Sequence, residues 1–463
     1  MLRVELSPST TKLHTTHKMD EVIEILGQQP GLNIYTQIAV LFAVEEDSSY
    51  PNIVNTLSSG LERLAGSFPW VAGQVVNEGA GDGNTGVYKI KPLKATPPLV
   101  IKDLRDTSSA PTMHALRQAN FPVNMLDESI FAPRPTLPID PALASEPQPV
   151  FIVQATFIKG GLVLTFLGHH QLMDGTGQAQ IIDLLSKACR NEPFTEEEVA
   201  TGNLPRQNII PLLEHKVPAS DVAPFLVTPP KGPPQEPAAC RWAYFNFPSA
   251  SLSALKALAS ESVTSGYITT DDALSAFIWQ SVSRIRAPRL NAEEDVKFAR
   301  AVNVRSFLNV PQTFPGLIQS MTNNSFSLKR LIDEPLGVVA SALRSTVDPK
   351  ALGYATRAFA TVLDKTANKA GFSFTGTLEL HRDIMLSSWV KMDLYEQEFG
   401  LGLGRPESVR RPQFTPVESL MYLLPKTPDG DITLVTCLRD EDMDKLRSDA
   451  TFKKYATHID NKP

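Results

Sequence analysis

Proline clustering constrains this chain more than any other feature of its sequence. Nine prolines fall between positions 205 and 237, where the fixed φ angle and the missing N–H of proline exclude both a helix interior and a central strand. The cluster therefore predicts a long crossover, residues 205–239, between two halves at 1–204 and 240–463. A length of 463 residues agrees with this division, because single hydrophobic cores stop growing at about 250–300 residues.

Charge and cysteine usage exclude several classes of function. The formal net charge is −6, and 44 basic residues are mixed with 50 acidic residues in no long run of one sign, so neither nucleic acid nor a membrane surface is an expected partner. Cys189, Cys240 and Cys437 lie far apart without CxxC spacing, which argues against a disulfide framework and a structural zinc site. We expect no bound metal and a reducing compartment.

The N-terminal sequence does not predict a secretory signal. Residues 1–18 contain no apolar h-region, and no stretch of about 18 uninterrupted apolar residues occurs in the chain. We therefore predict a cytoplasmic protein that neither is secreted nor spans a membrane.

Hydrophobic periodicity predicts mixed α/β layers in both halves. Residues 53–68 have the three- and four-residue spacing of an amphipathic helix, and the following WVAGQVV segment has strand character. The runs PVFIVQATFI and GLVLTFLG are separated by Lys159, Gly160 and Gly161, which predicts a hairpin. In the second half, TTDDALSAFIWQSVSRIR predicts a capped helix, and FARAVNVR and DITLVTCLR predict strands.

A polar interruption follows the second strand of this hairpin. It reads GHHQLMDGTG at 168–177 and leads into GQAQIIDLLSKACR, which has helical spacing. Such strand-to-helix junctions often hold active sites, and a histidine can take a proton from an alcohol or an amine near neutral pH. His170 is therefore the candidate general base. Asp174 either pairs with that base or turns away and fixes the loop through a cation.

The HxxxD pattern alone also occurs in ordinary hydrogen-bonded turns, so neighbouring segments decide its meaning. The full HHxxxDG string resembles the signature of the BAHD and condensation-type acyltransferase superfamily. LERLAGSFPWVAGQV and ITTDDALSAFIWQSV resemble two further BAHD segments in the same order. SSW at 387–389 resembles the threonine-serine-tryptophan segment, and EFGLG at 398–402 resembles the second signature, DFGWG, with glutamate and leucine replacing aspartate and tryptophan. The leucine form is similar to the fungal branch, which includes trichothecene 3-O-acetyltransferase-type enzymes.

This resemblance implies a fold and an activity. The fold would be α/β, with two chloramphenicol-acetyltransferase-like domains of mixed sheet and a solvent channel at their interface. The activity would be transfer of an acyl group, with acetyl favoured, from acyl-CoA as cosubstrate to a hydroxyl of a small secondary metabolite. The enzyme would be a monomer with no bound cofactor.

The resemblance also implies roles for particular residues. His170 would be the general base, and Asp174 would be a structural acid that pairs with Arg305. Ser387 and Trp389 would line the acceptor end of the channel, with simple strand packing as the alternative. Further site-lining or structural positions would be His169 and Gly175. Contacts with acyl-CoA would come from Lys256, Gly400, Leu401 and Gly402.

Some alternatives stay open at this point. Lys256 has the sequence context of a solvated helix face, and Arg305 would be a surface cation if its strand were an edge. A carrier-protein-dependent condensation enzyme is a second possible function, which the absence of a carrier module disfavours. A catalytically silent binding protein is a third, which the intact HHxxxDG string disfavours.

Two glycine-rich strings fail as nucleotide-binding loops. GDGNTG at 81–86 has GxGxxG spacing but is followed by VYKIKP rather than by a helix. GLGLG at 400–404 lacks the lysine and the helix that a phosphate-binding loop needs. We predict a hairpin turn for the first string and a loop of close backbone approach for the second.

Overall fold

The computed structural model of the chain describes residues 19–45, 49–138, 146–228 and 238–460. The prediction for residues 1–18 and the part of the crossover at 229–237 lie outside the described residues. In those described ranges, none of the helices combines the length and the apolar character that crossing a membrane requires.

The described residues form strands and helices in alternating groups. The strands are β1 (Glu21–Val22), β2 (Tyr35–Ala43), β3 (Gln74–Gly81), β4 (Asn84–Lys91), β5 (Leu99–Asp103), β6 (Gln148–Pro149), β7 (Phe151–Ile158), β8 (Gly161–His169), β9 (Cys240–Phe247), β10 (Asp295–Asn303), β11 (Gln319–Ser327), β12 (Ile384–Ser388), β13 (Ser408–Arg410), β14 (Leu420–Leu423), β15 (Ile432–Arg439) and β16 (Thr457–Ile459). The α-helices are α1 (Tyr50–Ser67), α2 (Met113–Gln118), α3 (Glu128–Phe131), α4 (Gly175–Cys189), α5 (Glu196–Gly202), α6 (Ala219–Val222), α7 (Ser249–Ser260), α8 (Thr270–Arg286), α9 (Leu328–Asp333), α10 (Leu336–Ser345), α11 (Pro349–Asp364), α12 (Asp440–Ser448) and α13 (Ala450–Lys453).

A five-stranded sheet of order β13-β2-β8-β7-β5 forms the centre of the first half. Strands β7 and β8 pair antiparallel from Phe151 opposite Gly168 to Ile158 opposite Gly161, which confirms the predicted hairpin. All residues of β7 and β8 are buried, because helices and loops cover both faces of the sheet. The His170 loop therefore leaves the end of a buried central strand.

A smaller sheet of order β1-β4-β3-β6 lies beside it. Gly81 pairs with Asn84 at the tip of the β3–β4 hairpin, so the GDGNTG string is a hairpin turn as predicted. The WVAGQVV prediction is partly wrong, because Pro69–Ala72 form a short 3-10 helix and β3 begins only at Gln74. Pro69 presets a helical φ angle, and the Trp70 indole donates to the Gly202 carbonyl at 2.9 Å, so tertiary packing favours the turn.

The second half contains a seven-stranded mixed sheet of order β11-β10-β12-β14-β15-β9-β16. Strand β12 pairs parallel with both β10 and β14, whereas the other neighbours are antiparallel. Helix α8 is buried along most of its length and begins with a capping box between Thr269 and Asp272. The predicted capped helix and the strands in FARAVNVR and DITLVTCLR are therefore present.

Strand β13 joins the two halves. It belongs to the second half in sequence but pairs antiparallel with β2, with Val409 opposite Val40. The five-stranded sheet of the first half therefore includes a strand from beyond the crossover. The boundaries at 1–204 and 240–463 stay a proposal, and β13 is the element that departs from them.

Candidate active site

The His170 loop is a tight turn between β8 and α4. The backbone N–H groups of Leu172 and Met173 both donate to the His169 carbonyl, at 3.0 and 3.2 Å. The His170 N–H donates to the Ile34 carbonyl at 2.9 Å, which ties the start of the turn to the chain leading into β2. Backbone hydrogen bonds alone thus hold the loop on both sides.

The hydrogen bond of its ring determines the tautomer of His170. Nδ1 lies 3.0 Å from the Met173 carbonyl oxygen, which can only accept, so Nδ1 must carry the proton. In the neutral imidazole the lone pair is then on Nε2, and no hydrogen bond from the described residues occupies that atom. The side chain is half-buried. His170 is therefore oriented as a proton acceptor with a free nitrogen.

The surroundings of His170 favour its neutral form. Burial lowers the pKa of the imidazole below its usual value, because removal from water disfavours the charged ring. The bond to Met173 and the charge of Asp174 oppose this effect, and the charge of Arg411 adds to it. Desolvation outweighs the opposing interactions, so the ring is ready to accept a proton at neutral pH.

Asp174 turns away from the imidazole and links the two halves. Its carboxylate accepts bidentate hydrogen bonds from the Arg305 guanidinium at 2.9 and 3.0 Å. It also accepts from the Gly177 and Ile318 N–H groups, both at 2.8 Å, and so serves as the N-cap of α4. The two oxygens therefore receive four donors. The pairing expected between Asp174 and Arg305 is present, and the alternative of a bond to His170 is absent from the described contacts.

Arg305 is fully buried, so the surface-cation alternative is wrong. Strand β10 ends at Asn303, whose side chain accepts from the Arg305 N–H at 3.0 Å and stops the extended run. The residue predicted to continue the strand instead opens a 3-10 turn, Arg305–Leu308. Its guanidinium also donates to the Phe314 and Gly316 carbonyls at 3.0 and 2.6 Å, which satisfies the buried charge.

The 387–389 segment lies against the start of α4. Strand β12 carries Ser387, and the Trp389 indole N–H donates to the Ser387 hydroxyl at 3.2 Å. A Cβ atom added to Gly175 would lie 3.4 Å from that indole nitrogen and 2.6 Å from Met392. Gly175, Ser387 and Trp389 are thus neighbours at the start of α4, next to the His170 loop.

His169 is the last residue of β8 and packs against the first residue of β2. Its ring is fully buried and packs edge-on against Tyr35 at 5.2 Å between ring centroids. Neither ring nitrogen has a hydrogen-bond partner among the described residues, and burial lowers the pKa of His169 to about 3. His169 is therefore a neutral core residue rather than a second base.

The EFGLG segment packs on the far end of α4. Phe399 is fully buried and stacks on Phe166 at 5.4 Å, and its N–H donates to the Ser186 hydroxyl at 3.3 Å. Gly400 has a positive φ angle and approaches the Arg190 backbone so closely that an added Cβ would lie 3.2 Å from it. Because a helix rises about 1.5 Å per residue, this contact is about 24 Å along the helix axis from Asp174. The segment supports the helix that carries the turn.

Among the described contacts, none joins His170 to the four residues expected to contact acyl-CoA. Leu401 is buried and Gly402 is exposed in open space. Lys256 is exposed on α7, as its solvated-face alternative expects. Their contact with acyl-CoA stays a prediction.

Sequence reasoning missed Arg411, which is almost fully buried. Its guanidinium lies 4.2 Å from the Phe414 ring, 4.8 Å from Tyr422 and 6.0 Å from Trp389. The same guanidinium donates to the Gln37 carbonyl at 3.4 Å, and its charge acts on the His170 ring. The sequence gives no signal for the role of Arg411, because the residues that contact it come from distant segments.

Two family descriptions match most of the chain. Residues 34–189 match the trichothecene 3-O-acetyltransferase-like N-terminal domain, and residues 134–453 match the Transferase family. The chain belongs to the Transferase family, the BAHD acyltransferases. The HHxxxDG string of this BAHD protein, residues 169–175, lies within both matched ranges.

Similar proteins agree with this assignment over at least 95% of the chain. The O-acetyltransferase dmxR13 of Cryptosporiopsis sp. is 52% identical over 95% of this chain and 98% of its own. The trichothecene 3-O-acetyltransferase TRI101 of Fusarium sporotrichioides is 49% identical over 97% of this chain and 100% of its own.

Solved structures confirm the expected fold. The structure of F. graminearum TRI101 complexed with coenzyme A and deoxynivalenol superposes with a TM-score of 0.92 at 45% identity, covering 95% of this chain and 100% of that one. Vinorine synthase, at 16% identity, shares the fold with a TM-score of 0.67 over 97% of this chain and 95% of its own. The two-domain chloramphenicol-acetyltransferase-like architecture is therefore correct.

Proposed function

We propose that this BAHD protein is an acyl-CoA-dependent O-acetyltransferase that moves an acetyl group from acetyl-CoA to a hydroxyl of a small secondary metabolite. One observation carries the role of His170 in this proposal. The Nδ1 proton is used by the Met173 carbonyl at 3.0 Å, which leaves Nε2 as a free base on a half-buried ring. The family membership and the O-acetyltransferase relatives support the reaction class.

The proposed reaction runs in a ternary complex. The acceptor hydroxyl donates its proton to His170 Nε2 while its oxygen attacks the thioester carbonyl of acetyl-CoA. The tetrahedral intermediate then collapses, the carbon–sulfur bond breaks, and the coenzyme A thiolate recovers the proton from the imidazolium. Asp174 does not touch the reacting atoms. It holds the loop, so that the imidazole keeps its orientation throughout.

Ser387 is the proposed donor to the developing oxyanion. Its hydroxyl oxygen accepts from the Trp389 indole at 3.2 Å, and no described acceptor uses its O–H. A half-buried hydroxyl with a free proton can stabilise negative charge at a carbonyl oxygen, and such a donor is worth about 3–4 kcal/mol in well-aimed cases.

Direct transfer without an acyl-enzyme agrees with the state of the thiols. Burial raises the pKa of Cys189, Cys240 and Cys437 above the usual value for a thiol, so each resists forming the nucleophilic thiolate. None of the three contacts the His170 ring among the described hydrogen bonds. The acetyl group is therefore proposed to pass from sulfur to the acceptor oxygen in one transfer.

The experiment is release of coenzyme A thiol with a matrix of donors and acceptors. Acetyl-, malonyl- and longer acyl-CoAs are combined with trichothecene alcohols, because two relatives are named for that substrate, and with other terpenoid, alkaloid and polyketide alcohols. We expect acceptor-dependent thiol release, fastest with acetyl-CoA. No release from any free acyl-CoA, but transfer from a carrier-bound acyl group, would favour the condensation-type alternative instead. No transfer at all would favour the silent binding protein.

The quaternary state and compartment are part of the same proposal. A monomer in the cytoplasm is expected, with acyl-CoA entering one mouth of a channel between the halves and the acceptor entering the other. Light scattering after size-exclusion chromatography tests the first expectation, and fluorescence microscopy of a tagged chain tests the second.

A further inference from the structure

A second buried ion pair contacts the same backbone segment, residues 316–318, that Asp174 contacts. Glu24 Oε1 and Arg206 Nη1 are 2.6 Å apart, and their side chains are 0% and 2% exposed. Glu24 precedes the 3-10 turn Ile25–Gln28, and Arg206 follows α5 at the start of the crossover. The pair therefore joins the N-terminal part of the chain to the segment that connects the halves.

Arg206 contacts the catalytic turn directly. Its Nη1 donates to the Leu172 carbonyl at 3.1 Å, and Leu172 lies within the turn between His170 and Asp174. The guanidinium is fixed from other directions, since its carbon lies 4.1 Å from the Trp70 ring centroid and its backbone N–H donates to Glu21 at 3.0 Å. The crossover thus supports the turn as well as connecting the halves.

Glu24 contacts the same strip of the second half that Asp174 contacts. Its Oε1 accepts from the Leu317 N–H at 3.1 Å, whereas Asp174 accepts from the Ile318 N–H at 2.8 Å. The approach at Gly316 is so close that an added Cβ would lie 2.0 Å from Glu24 Oε1. Consecutive residues 316–318 are therefore held between two buried carboxylates.

We propose that Glu24 and Arg206 are positioning residues for His170, a second ion pair that holds the 171–174 turn against residues 316–318. This inference rests on the proposed role of His170 as the base. Arg305 donates to the Gly316 carbonyl, and Asp174 accepts from the Ile318 N–H. Glu24 accepts from the Leu317 N–H between them, and Arg206 donates to the Leu172 carbonyl of the turn.

Loss of this pair should change the environment of the imidazole. His170 bonds to Met173, the residue after Leu172, so a loosened turn admits water to the ring. Burial is the largest cause of its lowered pKa, and hydration would therefore raise the pKa towards its usual value. The other charged groups that act on the ring are Asp174 and Arg411, and the proposed substitutions leave both in place.

The test compares Arg206→Met, Glu24→Gln and Arg206→Lys with the unchanged protein. We expect Arg206→Met to lower kcat by about 10-fold or more, because small displacements of a catalytic group are costly, while KM for acetyl-CoA changes by less than about threefold. The acidic limb of kcat/KM should move to higher pH by about half a unit. Glu24→Gln should move in the same direction, and Arg206→Lys, which keeps the charge, should recover part of both effects.

The matched control is Asp442→Asn, which breaks another fully buried pair. Asp442 lies 3.2 Å from Arg286, both side chains are 0% exposed, and the pair joins α12 to α8 without a described bond to the turn. We expect a lower melting temperature, with kcat per folded molecule and the pH profile unchanged. A purely structural role for Glu24 and Arg206 would give this same pattern and overturn the proposal, as would an unchanged pH limb in Glu24→Gln if Arg206→Met fails to fold.

Failure of the positioning role of Glu24 and Arg206 can be distinguished from failure of the proposed function. Full activity of His170→Gln would show that His170 is not the general base. The pH profile of the Arg206 variants would then not report the pKa of its imidazole. Loss of activity in His170→Gln with an unchanged profile in Glu24→Gln would refute only the positioning inference.

Discussion

Replacing Arg305 with methionine tests how the two halves hold the catalytic turn. The change removes a guanidinium that makes two bonds to Asp174, at 2.9 and 3.0 Å, and bonds to the Phe314 and Gly316 carbonyls. The carboxylate then remains buried with only two backbone donors. Breaking a buried pair on one side costs about 3–5 kcal/mol, because the remaining charge is uncompensated.

Hydrogen exchange measures this loss where it occurs. The Gly177 and Ile318 amides are protected by the Asp174 carboxylate. Since about 1.4 kcal/mol is a factor of ten, a loss of 3 kcal/mol or more in local stability should accelerate exchange of peptides covering 174–180 and 314–320 by about 10²-fold or more.

A double variant supplies the control. Asp174→Asn should be destabilised to a similar extent, because it leaves Arg305 buried without a counter-charge. Asp174→Asn combined with Arg305→Met should cost less than the sum of the single changes by about 2 kcal/mol. Additive costs, or exchange of both peptides within threefold of the unchanged protein, would contradict the interpretation that this pair locks the turn.

Three further predictions concern pH and packing. Because the pKa of His169 is lowered to about 3, its protonation favours the unfolded chain. The free energy of unfolding should therefore fall with decreasing pH by up to about 1.4 kcal/mol per pH unit from pH 6.5 towards 3. Denaturation of His169→Phe at several pH values should give a free energy of unfolding that depends less steeply on pH. Because burial lowers the pKa of His170, the acidic limb of kcat/KM should lie below about pH 6.5, the usual value, and a limb above it would contradict that assignment. Gly177→Ala places a Cβ 2.8 Å from the Gly316 carbonyl and should cost about 1–3 kcal/mol, whereas Gly66→Ala, which meets nothing within 4 Å on α1, should be neutral or stabilising in the same thermal melts.

Local elements of the fold could be predicted because their signals lie within short segments. The β7–β8 hairpin follows from two apolar runs around Gly160 and Gly161, and α4 follows from the helical spacing of its apolar residues. The 3-10 turn at Pro69–Ala72 could not be predicted from strand character alone, because the Trp70 bond to Gly202 favours it. Tertiary packing overrides local preference at that point.

The site was predictable only as far as its motif extends. His170 and Asp174 stand in one string, and the resemblance supplied Arg305, which lies 131 positions from Asp174. Glu24 and Arg206 are 182 positions apart and belong to no recognisable pattern. Their pairing depends on how the crossover packs, which one sequence without its fold does not specify.

Arg411 shows the same limit for electrostatics. A guanidinium in a sequence of this composition is ordinarily a solvated surface group. Here β13 pairs with β2 in the sheet of the first half, and Arg411 follows β13 directly. Its guanidinium therefore lies against the Phe414 and Tyr422 rings. Its effect on the pKa of His170 arises from that pairing, and it could be found only once the strand order was known.

The most direct test of the account is the rate of acetyl transfer by His170→Gln. Glutamine keeps a polar side chain of similar length but cannot take a proton from the acceptor. With acetyl-CoA and the best acceptor of the panel, kcat/KM should fall by about 10²- to 10⁴-fold, the usual contribution of a positioned base, while circular dichroism and the melting temperature match the unchanged protein. Transfer within a few-fold of the unchanged protein would show that the Nε2 lone pair is not the base.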